Sequence, residues 1–215
     1  MLCLRTRGPH GVIMRTTDKG SHWLYVPVPA SLHSIAKATC NGATLCVAVG
    51  TGASGAAVLV SSSAGHVWRP VVTPHLNSLA AVSCPNATTC ISAGAIGTSL
   101  ALIRTQDTGS TWSALPAPSA AAAATTPAEL SCPIATACFL AGSSSAGASI
   151  LGTKDGGKTW AVAPVPPTAT TGKSIDGSTL FAIDCPSALD CYAAGGQFYS
   201  YGANSGLFLI THRGG

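Results

Sequence analysis

Trp23, Trp68, Trp112 and Trp160 are the only tryptophans in the chain, and they recur at spacings of 45, 44 and 48 residues. Each closes a similar phrase: TTDKGSHW (16–23), SSSAGHVW (61–68), TQDTGSTW (105–112) and TKDGGKTW (153–160), with a fifth, THRGG (211–215), that stops before its Trp. The cysteines keep the same beat. Cys40/Cys46, Cys84/Cys90, Cys132/Cys138 and Cys185/Cys191 are pairs with five residues between them, and Cys3 stands in the place of a second cysteine whose partner is missing. A period of this length marks a repeat architecture, in which each unit buries its apolar face only against its neighbours.

Within a repeat, runs of four to eight apolar or β-branched residues alternate with Gly, Ser, Asn and Pro, the pattern of short strands. In the third repeat the expected strands are 79–84, 90–94, 99–105 and 112–116. Four antiparallel strands per repeat of this length make a β-propeller blade. The expectation is therefore an all-β propeller of four-stranded antiparallel blades, about 18 strands in five blades, the first and last incomplete. Its repeats run approximately 1–30, 31–74, 75–118, 119–167 and 168–215 in a single domain.

The phrase ending in Trp carries a resemblance. Thr153, Asp155, Gly157, Thr159 and Trp160 match Ser/Thr-x-Asp-x-Gly-x-Thr-Trp at every position, as do Thr105, Asp107, Gly109, Thr111 and Trp112. This resembles the Asp-box, or BNR, repeat of sialidase-like and photosystem II assembly factor-like β-propellers. With the S-C-P-x-A-x-x-C turns at 83–90 and 131–138, the chain is similar to secreted bacterial WD40/YVTN/BNR-like repeat proteins. The first copy departs by His22 in the Thr place, the second by Ser63 for Asp, and the last by Arg213.

The box residues Asp18, Gly20, Trp23, Gly65, Trp68, Asp107, Gly109, Trp112, Asp155, Gly157 and Trp160 are expected to be structural. A short carboxylate accepts N–H groups of its own turn, Gly adopts positive φ, and Trp brings apolar area between blades. One carboxylate per turn is too few for a hard cation, which takes six or more oxygens. No metal and no cofactor is expected.

Each cysteine pair flanks a five-residue turn between first and second strands, so disulfides are its expected product. By loop entropy each contributes about 2–2.5 kcal/mol. C-x5-C is not a usual zinc spacing, and pairs placed one per blade do not converge. Persistent disulfides belong to an oxidising compartment, so the expected location is extracellular or the cell envelope. Yet MLCLRTRGPHGVIMRTTDKG has no apolar core of a signal peptide, which together with Cys3 points to a fragment. Further blades or a second chain are expected to complete the ring. Asn86-Ala87-Thr88 fits a glycosylation sequon, but inside a disulfide turn it reads as coincidence.

Composition removes other classes. Charged residues make up 8% of the chain and the net charge is +4 with scattered basic residues, so nucleic acid is not an expected partner. No apolar run reaches the length of a membrane-spanning helix. Gly152–Thr159 fits the phosphate-loop expression, but WAVAPVPP follows where a helix is required. Gly50, Gly52 and Gly55 fit a dinucleotide fingerprint without the acidic partner downstream, and read as a turn between second and third strands.

Catalysis is not expected either. By resemblance, sialidase chemistry wants three arginines, a Tyr–Glu pair and an Asp. Here Glu129 is the only glutamate, and Asp176, Asp184 and Asp190 are the other acids outside the boxes. Glycoside hydrolysis asks for two carboxylates across one bond, and Asp184 and Asp190 bracket a cysteine turn.

Strand direction puts cysteine turns and Asp boxes on one face, uniform in length. The second-to-third turns and blade connections share the other, which varies most, from 73–78 to 164–179 and 195–206. Variable loops on a rigid scaffold carry binding. The expected partner surface, for a protein or glycan, holds Arg7, His10, His33, His75, Lys173, Asp176, Gln197, Tyr199, Tyr201 and Asn204. Tyr199 and Tyr201 are its expected anchors. The functional expectation is a non-catalytic extracellular binding or assembly scaffold; the alternative is a partial or degenerate sialidase-like glycoside hydrolase.

Overall fold

The computed structural model describes residues 12–42, 45–116, 118–119, 125–165, 175–199 and 204–212. Among them are 17 strands and no helix, in five antiparallel sheets that follow chain order. The first pairs β1 (Ile13–Arg15) with β2 (Leu24–Val26). The second runs β3 (Leu32–Asn41), β4 (Leu45–Gly52), β5 (Gly55–Ser61), β6 (Arg69–Val71). The third runs β7 (Ser78–Ser83), β8 (Cys90–Ile96), β9 (Ser99–Thr105), β10 (Ser113–Ala114). The fourth runs β11 (Thr126–Ile134), β12 (Ala137–Ser144), β13 (Gly147–Thr153), β14 (Ala161–Ala163). The fifth has β15 (Ile175–Asp184), β16 (Asp190–Tyr199) and β17 (Asn204–His212).

The strands expected in the third repeat coincide with β7 to β10 within two residues at each end. Three strands were expected before Leu32; two lie among the described residues, and residues 1–11 fall outside them. The chain groups into two compact units, Met1–Gly97 with Ala101–Leu115, and Thr98–Leu100 with Pro116–Gly215.

Strand position explains residue choice. β4 reads LCVAVGTG and is buried along its first six residues, because a second strand is covered on both faces and needs no polar side. The fourth strands β6, β10 and β14 are two or three residues long and mostly exposed. Short, exposed edges limit pairing with other chains, and Pro70 withholds a donor at one of them.

Within each unit the core lies between neighbouring sheets. In the first unit, Ile13 packs with Leu32, Ile35, Leu59 and Trp68, and Val47, Val49 and Val60 pack with Leu79, Val82 and Trp112. In the second, Ala141 and Ile150 pack with Leu180, Ile183 and Ala193. Each fully buried Leu, Ile or Val contributes about 1.5–3 kcal/mol.

A further repeat element is visible only in three dimensions. Gly50, Gly94, Gly142 and Gly195 each follow the second cysteine of a pair by four residues. A Cβ on any of them would sit 1.9–2.0 Å from the carbonyl oxygen of Ser34, Ser78, Thr126 or Thr179. In each sheet the first strand shifts register just beyond its partner of that glycine: Ile35/Lys37, Leu79/Ala81, Pro127/Glu129 and Leu180/Ala182. The bulge drives one backbone into the other, and only a residue without Cβ fits. This corrects one expectation: Gly50 and Gly52 lie inside β4, Gly55 opens β5, and the turn itself is Ala53–Ser54.

The repeat turns and the candidate binding edge

The Trp phrases fold into one hydrogen-bonded turn. In the third, Thr105 Oγ1 donates to Asp107 Oδ1 (2.8 Å) and accepts from Gly109 N (3.1 Å). Asp107 also accepts from the Thr111 backbone N–H (2.9 Å) and the Thr111 hydroxyl (2.6 Å). Thr153, Asp155, Gly157 and Thr159 repeat all four bonds. In the first turn His22 takes the Thr111 place, with Nδ1 2.5 Å from Asp18 Oδ2 and its backbone N–H on Asp18 Oδ1. Ser63, which lacks the carboxylate, still accepts from Val67 N at 3.0 Å, and Gly65 N still reaches Ser61 Oγ. Loss of Asp therefore leaves the turn intact.

Two successive residues in each turn have positive φ: Lys19 and Gly20, Ala64 and Gly65, Thr108 and Gly109, Gly156 and Gly157. The second is Gly in every copy, and Gly109 would push a Cβ to 2.9 Å from Val60, so it answers both to backbone sign and to close packing. The indole Nε1 of Trp23, Trp68 and Trp160 donates to the carbonyl of Gly20, Gly65 and Gly157. Trp112 Nε1 is buried and has no acceptor within reach among the described residues.

These bonds set the acidity of the three carboxylates. Asp18 is lowered to about 2, chiefly by the His22 backbone N–H and then its ring. Asp107 and Asp155 are likewise lowered to about 2, chiefly by the hydroxyls of Thr111 and Thr159 and then their backbone N–H groups. Donors on the charged form favour it, so the carboxylates stay ionised and engaged in their own turns. Among the described residues no three His, Cys, Asp or Glu side chains gather as a metal site.

All four cysteine pairs form disulfides, Cys40–Cys46, Cys84–Cys90, Cys132–Cys138 and Cys185–Cys191; Cys3 lies outside the described residues. The box turns sit against the cysteine turns of their own sheets, through Thr108 N to Thr88 O and Gly156 N to Thr136 O. Asn86 Oδ1 caps its own turn by accepting from the N–H groups of Thr88 and Thr89, a local structural use of the sequon asparagine. The phosphate-loop phrase leaves the end of β13 and is followed by strand β14 where a helix would be required.

The opposite sheet edge is tied down as well. Ala56 N donates to Leu76 O, Asn77 N to Ala95 O, and Asn77 Oδ1 accepts from Gly97 N at 2.6 Å. In the second unit Ala148 N donates to Ser178 Oγ at 2.9 Å.

The expected partner residues fare unevenly. His75 is exposed on the β6–β7 connection. His33 is exposed but belongs to β3. Gln197 is corrected: it sits inside β16 and is 6% exposed, because the segment read as a loop over 195–206 is mostly strand. β16 runs to Tyr199 and β17 begins at Asn204, so both of these residues belong to strands, and 200–203 lie outside the described residues. Asp176 falls in β15 for the same reason, the expected loop 164–179 giving way to strand at Ile175. Arg7, His10, Lys173 and Tyr201 lie outside the described residues.

Two residues escaped the sequence reading. Phe181 and Phe198 are exposed on the fifth sheet, their rings 3.5 and 3.9 Å from the point where a Gly196 Cβ would stand. Their signal was a break in the repeat, since Ala36, Ala80 and Ala128 occupy the place of Phe181.

No protein-family model matches the chain, and no curated protein does. Solved structures are similar in fold. YCF48 with a bound D1 peptide superposes with a TM-score of 0.59 at 15% identity, over 94% of this chain and 61% of that one. A protein of unknown function from Dyadobacter fermentans DSM 18053 gives 0.64 at 14%, over 95% and 65%. The NanB sialidase from Streptococcus pneumoniae gives 0.55 at 9%, over 94% and 35%. The chain thus spans less than two thirds of the length of each, and identities this low speak for fold alone.

Proposed function

From the BNR/sialidase-like β-propeller fold that this chain carries, we propose a non-catalytic extracellular or cell-envelope scaffold that binds a protein or glycan. One observation carries the reading: the carboxylates of Asp18, Asp107 and Asp155 are bonded within their own turns, while the connections from sheet to sheet differ in length and the fifth sheet exposes Phe181 and Phe198. The turns act as Asp boxes in this reading, holding hairpins rather than substrate. Among the remaining acids, Glu129 lies on β11, and Asp190 is bonded to Ser187 in its cysteine turn. Asp176 and Asp184 lie on β15, and the assignment of these acids to strands and a cysteine turn supports the non-catalytic reading. A protein or peptide ligand gains support from YCF48, a similar fold solved with a peptide bound. The disulfides support an oxidising location.

The test is a screen on a glycan array and a displayed peptide library, repeated with the double variant Tyr199→Ala, Tyr201→Ala. Ligands captured by the native chain and lost by the variant support the assigned edge; ligands kept by both refute it. Turnover of a chromogenic sialoside by the native chain would refute the non-catalytic reading.

A further inference from the structure

Asn86-Ala87-Thr88 is the only Asn-x-Ser/Thr in the chain, and from the sequence alone it reads as a chance match. The turn that holds it argues otherwise. Asn86 Oδ1 accepts from the backbone N–H groups of Thr88 (3.0 Å) and Thr89 (2.7 Å), and from the Thr88 hydroxyl (3.0 Å). A backbone N–H can only donate, so these bonds fix which end of the amide is oxygen. Nδ2 is the end left over. Among the described residues it has no hydrogen-bond partner, and it is not a buried atom. Asn86 is half-buried, while Ala87 and Thr88 beside it are exposed.

The turn itself does not require asparagine. Counting from the first cysteine of each pair, the place of Asn86 holds Gly42, Ile134 and Ser187 in the other sheets, and all four disulfides close. Ser187 shows what capping alone needs: its Oγ accepts from the N–H groups of Leu189 and Asp190, both at 3.1 Å. What Asn86 adds to such a cap is a free amide nitrogen, two residues from a hydroxyl that bonds the oxygen of the same amide.

An amide nitrogen is a poor nucleophile because its lone pair is shared with the carbonyl. To bond to carbon it must give up a proton, and negative charge then gathers on the oxygen. Donors already aimed at that oxygen stabilise the charge as it develops, and Asn86 Oδ1 has three. We propose that Asn86 is an acceptor for an N-linked glycan. The donor is an oligosaccharide joined to a lipid pyrophosphate, carried by a membrane-bound transferase. Nδ2 loses a proton to a base of that enzyme and bonds to the anomeric carbon; the bond from that carbon to the pyrophosphate oxygen breaks, and the lipid pyrophosphate leaves. The glycan stands beside the third box turn, whose Thr108 N–H binds Thr88 O, at the opposite end of β7 from His75, so it leaves the His75 end of that sheet uncovered. The inference rests on the extracellular reading only for the encounter with the transferase.

The test produces the chain behind a secretion leader in a cell that N-glycosylates exported proteins, so that export is imposed and the result reads the acceptor alone. The mass of the secreted chain exceeds the 21.3 kDa of the bare chain by one glycan, and an amidase that cleaves the bond between asparagine and glycan removes the excess. Asn86→Ser, which keeps a capping oxygen of the kind Ser187 supplies, carries no glycan. Thr88→Ala carries none either, and Thr88→Ser restores it. Circular dichroism confirms that each variant is folded; should one fail to be secreted, the same masses are read from the chain held in the secretory compartment. A native chain without a glycan overturns the proposal. So does a glycan that persists in Asn86→Ser, or one that Thr88→Ala leaves in place. A location inside its own cell would refute the extracellular reading and leave these outcomes as they stand.

Discussion

Replacing Gly94 with Ala asks the sheet to make room where there is none. The new Cβ would lie 1.9 Å from Ser78 O, 2.8 Å from Leu79 Cα and 2.9 Å from the Ser78 carbonyl carbon, all backbone. Contacts under 3.0 Å are not tolerated, so β7 must retreat by more than about 1 Å. No side-chain rotation relieves a backbone clash. Overpacking costs about 1–3 kcal/mol, and the retreat weakens ladder bonds around the bulge at about 0.5–1.5 kcal/mol each. It also draws Leu79 out of the core shared with Val49 and Val60. We expect about 4 kcal/mol, a large part of a typical domain's stability. Gly97→Ala is the control. Its φ is +58°, with nothing within 4 Å, so it carries only the left-handed backbone cost of about 1–2 kcal/mol. Urea unfolding with disulfides intact gives both values from the midpoint and slope. If Gly94→Ala loses no more than Gly97→Ala, the close approach between β7 and β8 is not the reason for that glycine.

Four further outcomes follow from the same geometry. Thr105→Val leaves Gly109 N without its acceptor in a buried place, so stability falls by about 1–3 kcal/mol in the same urea assay; no change would mean that the hydroxyl is dispensable to the turn. Removing Cys84 and Cys90 together, as Ala, opens one seven-residue loop and costs about 2.4 kcal/mol, whereas a neutral double variant would locate the bridge's effect in the native state rather than in the unfolded chain. The pKa of Asp18, Asp107 and Asp155 is about 2 folded against 3.8 ordinarily, so on acidification the unfolded chain takes up protons first. Their stabilisation is complete above about pH 4 and is lost between about pH 4 and 2; melting temperature measured across that window falls, and falls less steeply in Asp107→Asn with Asp155→Asn. Ser63→Asp, which restores a carboxylate beside the Val67 N–H, raises the melting temperature at pH 7 by a few degrees at most, and a lowered value would show that the hydroxyl is there for another reason.

The blades were legible because their signals are local. Alternation and turn residues mark β7 to β10 in the sequence itself, and the cysteine pairs and Trp phrases are short enough to be read as hairpins. What escaped reading depends on contacts between strands. Gly50 was read as turn because it stands two residues from Gly52 in a glycine-rich stretch, yet its reason is the Ser34 carbonyl, sixteen positions earlier and across the sheet. Gln197 was placed on a loop because Gly195 and Gly196 precede it and Gly202 follows; the first of those glycines is a strand residue opposite a bulge. Phe181 was passed over because an aromatic in a strand is unremarkable until its counterparts are known to be alanine. For the candidate binding edge, His75 was recoverable from its position between strands, while the strand ends at Ile175, Tyr199 and Asn204 follow from pairing register that no local pattern encodes.

Each of the four disulfides closes within a single hairpin beside its own bulge glycine, and in the third and fourth sheets alongside its own box turn. A segment copied from one blade boundary to the next therefore carries both cysteines of its own bridge. Such a gene can lengthen or shorten by whole repeats without scrambling its covalent pattern, and each copy, once made, is free to diverge on its opposite edge while its stapled edge stays the same. Uniform turns and an irregular opposite rim are the pattern that such copying would leave behind.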